Sequence, residues 1–434
     1  MNSFEEQFPV IITRRDFLKM AATGVVAAPW VGAALTGTPL RRKRMAIITT
    51  EWRFHSHAWH MGERFLVGYP REGAWYHPPF DVVSAYVDQF PENDLSRQRA
   101  KEFGFTIYPT IAEALRNGGK QLAVDAVLII GEHGNYPKTE WGQTKYPRYE
   151  FFSQVVEVFR LAGCTTPVFN DKHLSWKWEW AFEMVELSRA MKFPFLAGSS
   201  LPITWRMPSL EMPYGASLQE VMCVAIGAVD SYDFHALEVI QCMAERRRGG
   251  ETGVVAMQAL RGEAVWQAMD AGSWSAGGWD PKLFEACLCR SQTLTQPSTC
   301  SHRYPTNAQI REFVKEPIAY RFEYADGLKA TMLLMNGLVG DFTFAARVKG
   351  ETKPISTLFY LPAVPNVTYS AGLMSLAERM FQTGKAPYPI ERTLLTTGLV
   401  AAGVQSLATG QKRIETPHLS VRYHAPREST FLRS

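Results

Sequence analysis

The sequence predicts an α/β chain: a Rossmann-like doubly wound parallel sheet followed by an α+β domain with a mainly antiparallel sheet. Three observations carry this. From Met45 to about residue 200, short apolar runs rich in β-branched residues alternate with helical segments. The strongest run, Val124 to Ile130, is apolar almost throughout, as a strand covered on both faces must be. Beyond residue 200 the strand-like runs lengthen, and Ala325-Asp326-Gly327 offers a hairpin turn between two of them.

The chain starts with a different kind of segment. Thr13-Arg14-Arg15-Asp16-Phe17-Leu18-Lys19 precedes a mild apolar run from Met20 to Leu35. Twin arginines followed by Phe-Leu-Lys and small apolar residues form the pattern of a twin-arginine export signal. That run has 16 residues and contains Pro29, whereas a membrane span needs roughly 20 apolar residues. Residues 1–40 are therefore expected to be a signal segment, followed by the Rossmann-like domain over 41–200 and the α+β domain over 201–434. The protein is expected to be exported, periplasmic or anchored facing the periplasm. Export in the folded state suits a protein that loads its cofactor first.

The elements follow in order. Met45 to Thr50 reads as a buried strand, His57 to Val67 as a helix, and Phe80 to Val87 as a strand ending at Asp88. Gly68 to Pro79 between them reads as a long loop. Asn93 or Asp94 caps a helix that stops at Gly104. Phe105 to Tyr108 is a brief strand, and Thr110 to Glu113 is a capping box opening a short helix. After the Val124 strand come a helix from Pro147 to Ala162, a strand from Pro167 to Asn170, a helix from Trp176 to Met191 and a strand from Phe193 to Ala197. In the second half, Leu218–Val229, Thr252–Leu260, Ala319–Tyr324, Ala330–Met335 and Phe342–Val348 read as strands. Phe234–Arg247, a stripe from Ser370 to Phe381, and Glu391–Leu407 read as helices.

Ligands of a doubly wound sheet bind beyond the C-terminal ends of its strands, so residues after each strand are the candidates. The first strand is followed by no glycine-rich turn. Thr49, Thr50 and Ser56 could instead donate hydroxyls to a diphosphate, Arg53 could add charge, and the helix opening at His57 could offer backbone amides. Asp88 lies about 40 residues past the first strand, beyond the usual ~20. A carboxylate there can accept both ribose hydroxyls of NAD. Gly131-Glu132-His133-Gly134 follows the strongest strand, where glycine permits close backbone approach. Asn170-Asp171-Lys172-His173 follows the next strand, and its lysine, acid and imidazole could bind a substrate hydroxyl and relay a proton. Tyr232-Asp233-Phe234-His235 opens a helix on which His235 and Glu238 share a face. His55, His57 and His60 could together hold zinc or copper, but no acid or thiol completes the set, and no metal is expected.

These motifs resemble the Gfo/Idh/MocA family, the glucose–fructose oxidoreductase and inositol dehydrogenase group, over roughly residues 45 to 410. Val124–Ile130 resembles the strand before that family's nicotinamide loop. Asn170-Asp171-Lys172-His173 occupies the place of its Glu-Lys-Pro motif, and the stretch from Trp178 to Ser200 resembles its next helix and strand. His235 and Glu238 stand where it has His-x-x-Asp, and Gly384-Lys385-Ala386-Pro387 resembles its closing region. The resemblance implies catalytic roles for Lys172 and His235, with Asp233 in place of an aspartate whose usual position holds Ser231. It implies NAD or NADP bound by Thr49, Thr50, Ser56, His57, Asp88, Gly131, Glu132 and His133, and a carbohydrate-like substrate met by Tyr232, Asp171 and His173. It also implies a homo-oligomer. His173 replaces the family's proline, and the glycine-rich turn is missing.

Composition narrows the function. The chain has 434 residues with a formal net charge of +4, and the basic start accounts for much of that, so nothing asks for nucleic acid. Six cysteines show no zinc-site spacing; buried free thiols are expected, with one disulfide through Cys300 open. The expected activity is oxidation of a hydroxyl on a sugar, cyclitol or glycoside, with the twin-arginine machinery as export partner. Two rivals stand beside it: a glycosidase using transient oxidation and elimination, and a non-catalytic binding protein on the same scaffold.

Overall fold

The structure, a computed structural model, describes residues 41–298, 302–362 and 367–433. The twin-arginine segment and Cys300 lie outside the described residues. The other five cysteines are free, Cys223, Cys242 and Cys287 among them buried. Among the described residues no helix is long and apolar enough to cross a membrane.

The first half alternates as its sequence demands. β1 (Lys43–Thr49) leads through a turn and a π-helical turn, Ala58–Gly62, into α1 (Glu63–Val67). The stretch expected as a loop holds a hairpin of β2 (Tyr69–Arg71) and β3 (Ala74–Tyr76). β4 (Phe80–Val87) follows, then α2 (Ser96–Phe103), closed by Gly104 in the left-handed region. Asp94 accepts from the Ser96 hydroxyl at 2.8 Å instead of capping backbone amides, so α2 opens later than the capping rule suggested. β5 (Thr106–Ile107) precedes α3 (Ile111–Arg116), where Thr110 accepts from the Glu113 amide, the capping contact its spacing predicted. β6 (Ala126–Ile130), α4 (Arg148–Ala162), β7 (Val168–Asp171), α5 (Trp178–Ala190) and β8 (Phe195–Gly198) complete this half.

The strands order as β5-β4-β1-β6-β7-β8, every neighbouring pair parallel. The chain runs outward from β1 through β4 to β5 and returns to lay β6 on the other side of β1. This reversal leaves a crevice beyond β1 and β6, where doubly wound sheets bind ligands.

The second half contains β9 (Trp205–Met207), β10 (Leu218–Ala225), α6 (Tyr232–Ala244), β11 (Val254–Arg261), α7 (Glu263–Ala271), α8 (Pro281–Leu288) and α9 (Asn307–Phe313). β12 (Ile318–Tyr324), β13 (Lys329–Leu334), β14 (Phe342–Val348), β15 (Ile355–Tyr360), α10 (Thr368–Thr383), α11 (Glu391–Ala408) and β16 (Ile414–Glu415) follow. Eight strands order as β16-β11-β12-β13-β10-β14-β15-β9. Only β10 and β13 pair in parallel, so the sheet is mainly antiparallel, as expected. Gly327, at a φ of 88°, makes the turn between β12 and β13.

Two layers position the site. One face of the first sheet, through Ile48, Val127 and Ile129, packs with Phe152 of α4 in a core that continues through Phe234 and Ile240 of α6 into the second sheet. The other face, through Met45, Ile47 and Leu128, is covered by the π-turn, α1 and α10. α10 therefore returns from the second half to roof the first sheet. Phe381 anchors it, fully buried with its ring 5.8 Å from Phe80 and 6.2 Å from Phe65. Truncating such a ring to alanine costs about 3–5 kcal/mol.

Candidate active site

The C-terminal ends of β1, β6, β7 and β8 meet the N-terminus of α6 around a cavity of about 210 Å3. His57 and His60 of the π-turn line it, with Glu132 and His133 after β6, Asp171 and Lys172 at the end of β7, and Ser199 and Ser200 after β8. Tyr232 and His235 of α6 and Tyr369 of α10 close the far side. Neighbouring residues of a strand normally face opposite ways. Here Lys172 takes a positive φ of 59°, and both it and Asp171 reach the cavity.

Glu132 organises the charges. Its carboxylate accepts from Lys172 Nζ at 3.0 Å and from the guanidinium of Arg148 in a very short ion pair. Burial opposes ionisation of Glu132, but Lys172 and Arg148 outweigh it and hold the carboxyl well below its ordinary range. Arg148 is fully buried and also binds His173 Nε2 at 2.9 Å. Because a guanidinium only donates, that nitrogen must accept, and His173 is neutral; burial and then Arg148 lower its pKa.

The imidazoles of the cavity are neutral for the same reason. Burial first, then neighbouring positive or imidazole groups, lower His60 and His235 well below 6.5 and His133 to about 4. Burial and Glu132 raise Asp171 to about 6. Several buried polar atoms here lack a protein partner: Asp171 Oδ1, His60 Nδ1, His133 Nε2 and His235 Nδ1. Buried polar groups are ordinarily satisfied, so the cavity is built for a polar ligand.

Seven sequence-derived candidates meet at this cavity: His57, Glu132, His133, Asp171, Lys172, Tyr232 and His235. The others are elsewhere, each for a visible reason. The Thr49 hydroxyl donates to the Ile130 and Glu51 carbonyls, and that of Thr50 to the Glu132 carbonyl. Ser56 Oγ accepts from the Arg53 and Trp59 amides. These three hydroxyls shape the turn. The group that approaches Gly131 is Arg148, since a Cβ there would lie 2.6 Å from Arg148 Cγ. His173 stands behind the cavity on Arg148. Asp233 is fully buried and accepts from Tyr320 Oη at 3.0 Å, turned to the second sheet. Asp88 is exposed at the end of β4, with Tyr86 and Tyr136 hydroxyls each 2.7 Å from one carboxylate oxygen. Each oxygen keeps a lone pair for a ribose hydroxyl.

The sequence reading missed Arg148 and Tyr369. Arg148 sits at a helix start, a place where arginine is usually solvated; nothing local marks it as buried. His55 stacks on Trp59 at 5.3 Å between ring centroids and meets Phe54 at 4.1 Å with the rings tilted. Among the described residues no group of His, Cys, Asp and Glu could hold a metal ion.

A dinucleotide fits one end of this crevice better than the other. The unpartnered polar atoms suit a nicotinamide and a hydroxylated substrate. The turn after β1 offers no glycine cradle: Trp52 is buried beneath it, donating to Glu63 at 3.0 Å, and the nearly buried Glu51 is paired with Arg53 at 2.6 Å. Gln89 and Asn135 join the loops after β4 and β6 by two hydrogen bonds of 2.9 and 3.1 Å. Arg53 and Asp88 are the groups that would hold the diphosphate and ribose.

No protein-family model matches the sequence, and no curated protein matches it. Solved structures do. The crystal structure of GenD2 from gentamicin A biosynthesis in complex with NAD superposes with a TM-score of 0.52 at 11% identity, over 87% of this chain and 97% of that one. A probable dehydrogenase from Thermotoga maritima gives 0.51 at 12% identity, over 87% and 99%. The myo-inositol dehydrogenase from Lactobacillus casei in complex with NAD(H) and myo-inositol gives 0.50 at 11% identity, over 86% and 96%. The chain has the fold of these dehydrogenases. Both the parallel first sheet and the mainly antiparallel second sheet are part of it, as the resemblance to the Gfo/Idh/MocA group implied.

Proposed function

We propose that the protein is an exported oxidoreductase that uses NAD or NADP to oxidise a hydroxyl of a sugar, cyclitol or glycoside. The observation that carries this reading is the cavity itself: Lys172 and Glu132 from the first sheet and His235 from α6 converge on one small, polar space. Solved structures of the same fold hold NAD or NAD(H), one of them with myo-inositol. When bound, the nicotinamide supplies the hydride acceptor.

The residues of this chain supply position and proton handling. Lys172, held by Glu132, offers ammonium protons to the substrate oxygen and favours negative charge developing there. His235 is kept neutral by burial and by Lys172, so it can hydrogen-bond a substrate hydroxyl as acceptor. A cavity of about 210 Å3 is smaller than the ~300–1,000 Å3 typical of drug-sized ligands, which favours a single ring. Asp88 would favour NAD over a 2′-phosphorylated dinucleotide. Passage through the twin-arginine route and assembly into a homo-oligomer belong to the same proposal.

The test is turnover. Purified protein is mixed with NAD or NADP and a panel of cyclitols, aldoses and glycosides, and reduced nicotinamide is followed by absorbance. The reading predicts reduction with at least one polyol and a loss of at least ~100-fold in Lys172→Ala. Full activity of that variant removes the core of the proposal. One observation favours a second reading, a binding protein on the same scaffold: the hydroxyls after β1 are spent on the turn, and Gln89 and Asn135 tie together the loops flanking it.

A further inference from the structure

Catalysis of hydroxyl oxidation needs a base whose protonated form is stabilised. His235, the residue to which the family resemblance gives this role, has no such support: its Nδ1 is buried without a protein partner. A different imidazole in the same cavity is equipped. His57 Nδ1 lies 2.5 Å from Asp171 Oδ2, with the carboxylate fully buried and the imidazole 14% exposed. The two residues come from separate elements, the turn after β1 and the end of β7, which flank β6. Asp171 is held there by the ladder of β7 with β8, and His57 by its place at the head of the π-turn.

We propose that His57, oriented by Asp171, is the proton acceptor of the site. The proposal rests on the oxidoreductase reading and assigns its base. With Nδ1–H directed at the carboxylate, Nε2 carries the lone pair, and His57 is one of the residues that line the cavity. In the step, the substrate O–H bond breaks, its proton forms a bond to Nε2, and the oxygen keeps the electron pair. The imidazolium that results is compensated by Asp171, in the manner of other carboxylate–imidazole pairs. Asp171 is the positioning residue, acting through His57. The charged and titratable groups around His57 are Lys172, Glu132, Arg148, His60, His133 and His235. Burial and then Lys172 keep the ring unprotonated in the resting site, as they do His235, so the Asp171 carboxylate is what distinguishes His57.

Two measurements on the full chain test this. In protein labelled with 15N-histidine, the His57 signals, identified by their loss in His57→Gln, are expected to show a neutral ring protonated at Nδ1. Asp171→Asn is expected to abolish that preference. A ring protonated at Nε2 overturns the proposal without reference to turnover. For activity, His57→Gln is expected to lower kcat by ~10²–10⁴-fold and to abolish the acidic limb of the kcat/KM profile. Asp171→Asn is expected to lower kcat and shift that limb, and Asp171→Glu to restore part of it. His235→Gln is expected to raise KM while keeping the limb. Loss of the limb in His235→Gln with its retention in His57→Gln makes His235 the base and overturns the assignment. Should the wild type reduce no dinucleotide with any polyol, the oxidoreductase reading fails, while the tautomer measurement still decides the pairing.

Discussion

Removing the Glu132 carboxylate leaves two buried cations facing each other. In Glu132→Ala, Lys172 and the fully buried Arg148 both lose their counter-ion. At 3.0 Å from Lys172 and an effective dielectric of ~20, the gross attraction of that pair alone is about 5 kcal/mol. Desolvation offsets much of it in the intact site, but the penalty remains when one partner is deleted. Breaking a buried pair in this way costs about 3–5 kcal/mol, and two stranded cations place this variant at the upper end. The assay is urea unfolding followed by tryptophan fluorescence at neutral pH. A triple variant, Glu132→Leu with Lys172→Met and Arg148→Met, removes all three charges. It should recover most of the lost stability, since apolar replacement of a buried ionic cluster is often neutral or stabilising. The pH sign is fixed by the depressed Glu132 pKa. Its contribution is fully present above the ordinary carboxylate value and is lost as pH falls toward the folded-state value. A cost below about 1 kcal/mol for Glu132→Ala, or a triple variant no more stable than the single, refutes the reasoning.

Glu238 should behave oppositely. It accepts from the Ser199 amide at 2.7 Å, and burial raises it to about 7. Its stabilising protonation is complete below the ordinary value near 4.5 and is lost as pH rises through 7. Glu238→Gln should therefore flatten the stability profile between those values and stabilise the protein at pH 8 by chemical denaturation. At the β4–β6 junction, Gln89→Ala with Tyr136→Phe removes the side-chain hydrogen bonds that join the loops after β4 and β6. Dinucleotide should bind this variant faster in stopped-flow fluorescence, whereas unchanged association means the ties do not gate the crevice. Gly227 has a φ of 103°, and a Cβ there would collide with Tyr232. Gly227→Ala should lose roughly 1–3 kcal/mol to backbone strain and raise KM by displacing Tyr232 from the cavity.

The layering of the fold was legible because periodicity is local. The apolar run of β6 and the Thr110 cap each needed only a few neighbouring residues to declare themselves, and both are present. The hairpin of β2 and β3 was not legible, because Pro70 and the glycines around it read as loop, and its anchor is distant: Tyr69 and Tyr76 both donate to Glu378 of α10. The site divides the same way. Strand-end logic found Glu132, Asp171 and Lys172, since topology fixes where strand ends gather, and His235 was legible from the start of its helix and the shared face with Glu238. It assigned Thr49, Thr50 and Ser56 to a ligand because hydroxyls look alike in sequence whether they face a phosphate or close a turn. Gly131 was read as room for a cofactor, yet the room is filled by Arg148 from the next helix. The His57–Asp171 pair spans 114 positions, a separation at which only the folded sheet brings an acid to an imidazole.

Whether this crevice takes a nicotinamide dinucleotide is decided by mass spectrometry of small molecules released by denaturing the natively purified protein. The oxidoreductase reading predicts NAD(H) or NADP(H), either retained from the cell or retained after incubation with added cofactor and removal of excess. Protein that releases none and takes up none contradicts it and transfers the case to the binding-protein reading.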